Sequence, residues 1–254
     1  MMVASSDGSY TAFSESYNEH YHSTKDGALN ESLSKHIKPA FLLQSHKSEL
    51  RVLDLCFGLG YNTLSTLYYA DLVGFEGSLY TYSPELDADL IASLEGFRYP
   101  EEFRAYLHIL SHLIRDGIYA SSTRRVELFI GDARKFIEAF EPKSVDIIYQ
   151  DAFSPKVNPL LWTREYFASL GRILKDDGVL TTYSTAISTR LALYESGFLV
   201  QINRGDGIRN STVATFVPSG HFEVVDMAHK IRTNPDAVAL SDLDLKLDDP
   251  RDPN

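Results

Sequence analysis

LDLCFGLGYNTLSTL, residues 53–67, sets an apolar strand, a glycine-punctuated turn and a helical pattern in direct succession. Gly58 and Gly60 mark the turn. Glycine tolerates the tight backbone and the close ligand approach that a strand-to-helix loop needs at a binding site. Asp54 lies inside the strand. The third glycine of a dinucleotide fingerprint is missing, and Thr63 stands in its place. A G-x-G pair alone also fits a plain turn, so the strands that follow have to decide what it is for.

The same alternation continues outward. RVLDLCF (51–57), SLYTY (78–82), VELFI (126–130), VDIIYQ (145–150) and GVLTTYS (178–184) are short and apolar, bounded by Gly, Asp or Pro, and read as strands. Helical patterns fall at 62–70, 85–95, 101–116, 133–140, 162–174 and 187–196. FLVQIN (198–203) and TVATFVP (212–218) read as a closing hairpin around RGDGIRNS. Strands alternating with helices predict an α/β fold: a doubly wound, mostly parallel, Rossmann-like sheet of seven strands with an antiparallel C-terminal hairpin. Residues 51–220 make up this core, with a helical insertion at about 97–122. Residues 1–50 form an N-terminal extension of polar sequence leading into the helical pattern ESLSKHIKPAFLL. Residues 221–254 form a C-terminal extension. Its tail from Asp242 holds five Asp against one Lys and one Arg, and reads as solvated or disordered.

Ligands of open α/β sheets bind at the carboxyl ends of the strands. Here those ends carry Asp54, then Ser83 with Glu85 or Asp87, then Asp132 and Ala133, then Asp151. Asp132 alone would also serve as a helix cap. Together, these groups suit a nucleoside with a ribose diol, an exocyclic amine and a positive charge. S-adenosylmethionine is such a ligand, whereas a pyrophosphate would be repelled.

Composition narrows the rest. The 254 residues are 44% hydrophobic, enough for a large core, and no apolar run reaches the length of a membrane span. The N-terminus shows no basic-then-apolar leader, and the single cysteine, Cys56, fits a reducing cytoplasm. A net charge of −11 argues mildly against an extended nucleic-acid surface. The histidines at 20, 22, 36 and 46 make no metal pattern.

Three stretches resemble the methyltransferase domain of the MnmC family, the tRNA 5-methylaminomethyl-2-thiouridine biosynthesis proteins. They are YHSTKDGALNES (21–32), CFGLGYNT (56–63) and, most specifically, DAFSPKVNPLLWT (151–163). The resemblance spans about residues 17–216. It implies a class I S-adenosylmethionine-dependent N-methyltransferase that converts 5-aminomethyluridine at the tRNA wobble position to 5-methylaminomethyluridine. The family's flavin oxidase domain is absent, which implies a stand-alone enzyme with a separate oxidase partner. Carried over residue by residue, the cofactor set is Asp54, Phe57, Gly58, Gly60, Asn62, Ser83, Glu85, Asp132, Ala133 and Asp151. The substrate set is Tyr21, Ser23, Phe153, Pro155, Lys156, Asn158 and Arg209. Cys56 stands where the family has Gly, Ser83 lies nearer than Glu85 to the family's ribose position, and GDGIRNS has one Arg where the family often has a basic pair.

The chemistry of an amine acceptor gives the proline-rich loop a role. Deprotonating an alkyl amine of pKa about 10 near pH 7 costs roughly 4 kcal/mol. Positioning can supply about 7–11 kcal/mol, so placement outweighs base strength. Asp151 is expected to be the catalytic residue by accepting an amine N–H. Phe153 offers an aromatic face, Pro155 and Pro159 stiffen the loop, and Trp162 anchors the next helix. Tyr17, Tyr21 and His22 either fold over the cofactor or pack on the sheet. Lys156, Arg190 and Arg209 are candidate phosphate contacts. The competing readings are a small-molecule N-methyltransferase or polyamine aminopropyltransferase, and a non-catalytic cofactor-binding protein.

Overall fold

The structure, a computed structural model, describes residues 2–205 and 207–245. The chain opens with β1 (Met2–Ala4), β2 (Tyr10–Ser14) and β3 (Glu19–His20), an antiparallel three-stranded sheet. A continuous helical stretch follows: α1 (Ala28–Ser32), a π-helical turn (Leu33–Ile37) and α2 (Lys38–Gln44). The core then alternates: β4 (Glu49–Leu55), α3 (Tyr61–Leu72), β5 (Ser78–Glu85), α4 (Ala88–Ser93), α5 (Leu107–Asp116), β6 (Ile118–Ala120), β7 (Arg124–Ile130), α6 (Ala133–Glu138) and β8 (Val145–Gln150). It closes with α7 (Arg164–Ile173), β9 (Leu174–Thr182), α8 (Ile187–Glu195), β10 (Leu199–Asn203), β11 (Ser211–Thr215), β12 (Glu223–Val224) and α9 (Met227–Thr233).

Among the described residues the main sheet has nine strands, in the order β12-β10-β11-β9-β8-β4-β5-β7-β6. The run from β9 to β7 is parallel, and the strands on both sides of it are antiparallel. All six residues of β8 are buried, and β4 is buried from Val52 to Leu55. Such unbroken buried runs belong to strands covered on both faces. One core lies around Val52, Leu64 and Phe103, and the other around Leu53, Trp162 and Phe167. Helix α7 buries Tyr166, Phe167, Leu170 and Ile173, one stripe at helical spacing. Its N-terminus is capped by the Thr163 hydroxyl, which accepts from the Tyr166 N–H at 3.2 Å.

β4 is central, with β5 on one side and β8 on the other. The connections leaving β4 and β8 therefore go to opposite faces and open a crevice at the strands' carboxyl ends. Five features differ from the sequence expectation. The N-terminal extension contains a sheet as well as a helix, β6 and β12 add edges to the seven core strands, and β9 begins at Leu174 rather than Gly178. The insertion's helix starts as a 3₁₀ segment, Glu101–Tyr106. The start of the acidic tail is not loose: Asp242–Asp244 form a 3₁₀ turn, and the Asp242 carboxylate pairs with Arg134. Residues 246–254 lie outside the described residues.

Candidate active site

At the first crossover the backbone turns left-handed at Cys56 (φ 67°), Gly58 (φ 55°) and Gly60 (φ 76°). Position 56 is thus one where glycine is the unstrained choice, which accounts for the family's residue there. The Gly58 N–H donates to Glu85 Oε2 at 2.8 Å, and the Phe57 N–H donates to the Pro84 carbonyl at 3.0 Å. The ends of β4 and β5 are thereby tied into one wall.

A cleft of about 760 Å³ opens at these strand ends, covered by residues 17–26. Phe57, Gly58, Asn62, Glu85, Asp132 and Ala133 line one half of it. Tyr21, Ser23, Asp151, Phe153, Pro155, Asn158 and Arg209 also line it. Five expected residues lie elsewhere. Asp54 is fully buried beneath the floor, with Oδ2 accepting from the Thr63 hydroxyl at 2.7 Å. Burial, with the nearby Asp151 charge, pushes its carboxyl up to about 7. Ser83 is also fully buried and donates to the Asp54 carbonyl, so of Ser83, Glu85 and Asp87 it is Glu85 that lines the cleft. Gly60 packs on the Phe57 ring, where a Cβ would sit 2.8 Å from a ring carbon. Lys156 is exposed beside the cleft, and Arg190 donates to Thr212 away from it.

Asp151 begins the loop after β8 and stands at the cleft floor. Its Oδ2 accepts from Asn62 Nδ2 at 2.8 Å, and its Oδ1 lies 3.4 Å from His36 Nε2. His36 is fully buried, and its Nδ1 sits 3.0 Å from the Thr181 hydroxyl. Burial alone would raise the Asp151 carboxyl, but His36, His22 and Asn62 outweigh it and hold the group below the usual carboxylate range. The group is therefore an anion and a hydrogen-bond acceptor at neutral pH.

The loop is braced from both sides. Ser154 N–H donates to Glu19 Oε2 at 3.1 Å, linking the loop to β3 of the small sheet. Trp162 is fully buried and donates from Nε1 to the Phe153 carbonyl at 2.7 Å. Tyr17 stacks on Phe153 with centroids 4.4 Å apart, and Tyr21 tilts against it at 5.0 Å. One face of Phe153 is thus already taken, and Tyr17 and Tyr21 form part of the cover.

Sequence reasoning missed a charged cluster on α1 and the π-helical turn. Lys35 Nζ contacts Asp26 Oδ2 at 3.1 Å and Glu31 Oε1 at 2.6 Å, all of them buried. Glu31 Oε2 accepts from the Ser23 N–H at 2.7 Å and lies 3.9 Å from His22 Nδ1. Desolvation works against the Lys35 charge, but the two acids more than offset it. Only the spacing of Glu31 and Lys35, an i,i+4 pair with the acid first, was a readable signal. Among the described residues no His, Cys, Asp and Glu group could hold a metal ion, and no helix is long and apolar enough to cross a membrane.

The donor set fits S-adenosylmethionine. Glu85 lines the cleft with a carboxylate of the kind a ribose diol needs, and Asn62 Oδ1 is a buried acceptor with no hydrogen-bond partner among the described residues. Anions at 85, 132 and 151 favour a cation and disfavour a pyrophosphate.

Comparison with known proteins agrees. Residues 103–217 match the family described as S-adenosyl-L-methionine-dependent methyltransferase. MNMC2 from Aquifex aeolicus superposes with a TM-score of 0.84 at 31% identity, covering 96% of this chain and 80% of that one. An uncharacterised protein of Methanocaldococcus jannaschii is 32% identical over 211 residues, 79% of this chain and 54% of that protein. The tRNA 5-methylaminomethyl-2-thiouridine biosynthesis bifunctional protein MnmC of Pseudoalteromonas atlantica is 24% identical over 226 residues, 82% of this chain and 32% of that protein. The chain thus spans about half or less of the length of these two relatives.

Proposed function

We propose, for a chain that belongs to the S-adenosyl-L-methionine-dependent methyltransferase family of MNMC2, that the amine it methylates is the 5-aminomethyl group of a wobble uridine in tRNA. The observation that carries this reading is the contrast between the cleft's floor and its mouth. The floor is anionic, with Asp151 anchored between His36 and Asn62. The mouth carries Lys25 and Arg209, with Lys156 on the adjoining loop; all three are exposed, and among the described residues no ion pair engages them. In a chain of net charge −11, exposed cations around an acidic pocket suit an amine carried on a polyanion.

The chain's own residues supply placement. Glu85 and Asn62 hold the cofactor half. When bound, S-adenosylmethionine supplies a methyl group made electrophilic by its sulfonium. Asp151 accepts an N–H of the acceptor amine and aims its lone pair. The 152–162 loop, pinned by Glu19 and Trp162, keeps that carboxylate in register. The cover made by Tyr17 and Tyr21 excludes water and offers aromatic edges to a splayed-out base. The same acidic floor would also serve a free polyamine, so the test offers both acceptors. With labelled S-adenosylmethionine, the reading requires transfer to tRNA bearing 5-aminomethyluridine and none to spermidine or putrescine. Transfer to the polyamines alone would overturn it.

A further inference from the structure

An amine accepts a methyl group only through a free lone pair, yet an alkyl amine arrives at neutral pH mostly as an ammonium. Asp151 is held below the usual carboxylate range and so is a poor place for the surplus proton. We propose that His22 is the group that takes it, as the proton relay of the acceptor site. This inference rests on the amine-methyltransferase reading above.

His22 lines the cleft and is 8% exposed. Its backbone N–H is held by the Thr11 hydroxyl at 3.1 Å, and its ring meets Tyr61 edge-on with centroids 5.0 Å apart. The imidazole is thus fixed in place, while among the described residues neither ring nitrogen has a hydrogen-bond partner and neither is fully shielded from the cleft. These nitrogens open to the cleft, with Nδ1 3.9 Å from Glu31 Oε2. Glu31 and Lys35 face the ring from α1 and the π-helical turn, His36 from the same turn and Asp151 from the loop after β8. Burial, the largest influence, lowers the imidazole's pKa. Asp151 and Glu31 oppose it, and His36 and Lys35 add to it. The net direction is downward, so the ring is neutral at pH 7 and free to receive a proton. His20 also lines the cleft but is exposed and packs on Phe13, so it lacks this setting.

In the relay the ammonium N–H bond breaks and its electron pair stays on the amine nitrogen. The proton bonds to a His22 ring nitrogen, giving an imidazolium beside Glu31. The imidazolium then passes the proton to water in the cleft, which restores the neutral ring. Asp151 holds the amine throughout without changing its own protonation.

The test is a single-turnover pH profile, pH 6 to 10, for wild type and His22→Phe, a substitution that keeps the aromatic edge on Tyr61. His22→Asn is run in parallel as a second variant. Calorimetric binding of S-adenosylhomocysteine confirms that each variant is folded. The expected result is a loss of about 10²-fold at pH 7 that narrows toward pH 10, where the amine is already free base. No loss, or a loss of the same factor at every pH, overturns the proposal. Histidine side-chain NMR of the S-adenosylhomocysteine complex gives a readout independent of the acceptor. His22 should titrate below its ordinary 6.5, and a ring protonated at pH 7 overturns the relay. Wild type that fails to methylate the tRNA at any pH would instead sink the substrate reading, and the NMR arm would still decide the state of His22.

Discussion

Replacing Asp151 by Asn keeps the shape of the side chain and removes its charge. In the folded protein that charge sits at the cleft floor, oriented by Asn62 at 2.8 Å and His36 at 3.4 Å. Two unit charges 4 Å apart attract by about 4 kcal/mol at an effective dielectric near 20. The acceptor nitrogen develops roughly half a charge on the way to the methylated product, so about 2 kcal/mol of that attraction is lost. Trading a charge-assisted hydrogen bond for a neutral one removes about 1–2 kcal/mol more. The sum, about 3–4 kcal/mol, predicts a single-turnover rate lower by roughly 10²–10³-fold. Affinity for S-adenosylmethionine should fall by less than about tenfold, because the proposed reading gives the other half of the cofactor to Glu85 and the Gly58 turn. The assay is rapid-quench methyl transfer at saturating cofactor, with calorimetry for binding. Collapsed cofactor affinity with a normal chemical step would refute the reasoning and move Asp151 to the cofactor set.

Glu85→Ala should weaken S-adenosylmethionine binding about 10- to 100-fold, the worth of one charge-assisted hydrogen bond to a ribose hydroxyl. Unchanged calorimetric affinity would move the ribose to another acid. Changing Lys25, Lys156 and Arg209 together to Ala should reduce the slope of log affinity for tRNA against log salt by about 2–3, as expected for three lost phosphate contacts. An unaltered slope would place the RNA on another surface. Asp146 has no exposed side-chain surface, and Lys47 and Lys175 each lie 2.8 Å from its Oδ1. Burial raises its pKa, but the two ammonium groups and the Arg51 N–H more than offset this, so the net shift is downward from 3.8. That stabilisation is present above 3.8 and lost as pH falls through the folded value. Asp146→Asn should therefore cost about 2–3 kcal/mol in urea unfolding at pH 7, with both lysines partly exposed. The penalty should shrink on acidification below pH 4, and one that grows there would contradict the ion-pair account.

The parallel core was legible because β4 and β8 are apolar on both faces and bounded by turn residues, leaving little ambiguity of period. The glycine loop and the strand-end acids placed Gly58, Glu85, Asp132 and Asp151 on one cleft without any knowledge of contacts. The small N-terminal sheet was not legible. β1 and β3 are three and two residues long, too short for alternation to register, and β3 matters only because Glu19 reaches Ser154 far along the chain. Ser83 was misplaced because position along a strand does not tell which face a residue takes, and its face is the buried one. His36 and His22 looked like isolated histidines. What gives them meaning is the packing of α1 and the π-helical turn against β8 and β9, which brings residue 36 to Asp151 and Thr181. Arg190 shows the converse: charge in the sequence says nothing of whether a side chain points at the cleft.

The most direct test of the central claim is methyl transfer from labelled S-adenosylmethionine to bulk tRNA from cells unable to methylate aminomethyluridine, followed by nucleoside mass analysis. The account predicts label in a 5-methylaminomethyl-type uridine, with Asp151→Asn giving a small fraction of the wild-type rate. Intact cofactor binding with no label in any tRNA nucleoside, and label instead in a free amine, would contradict it.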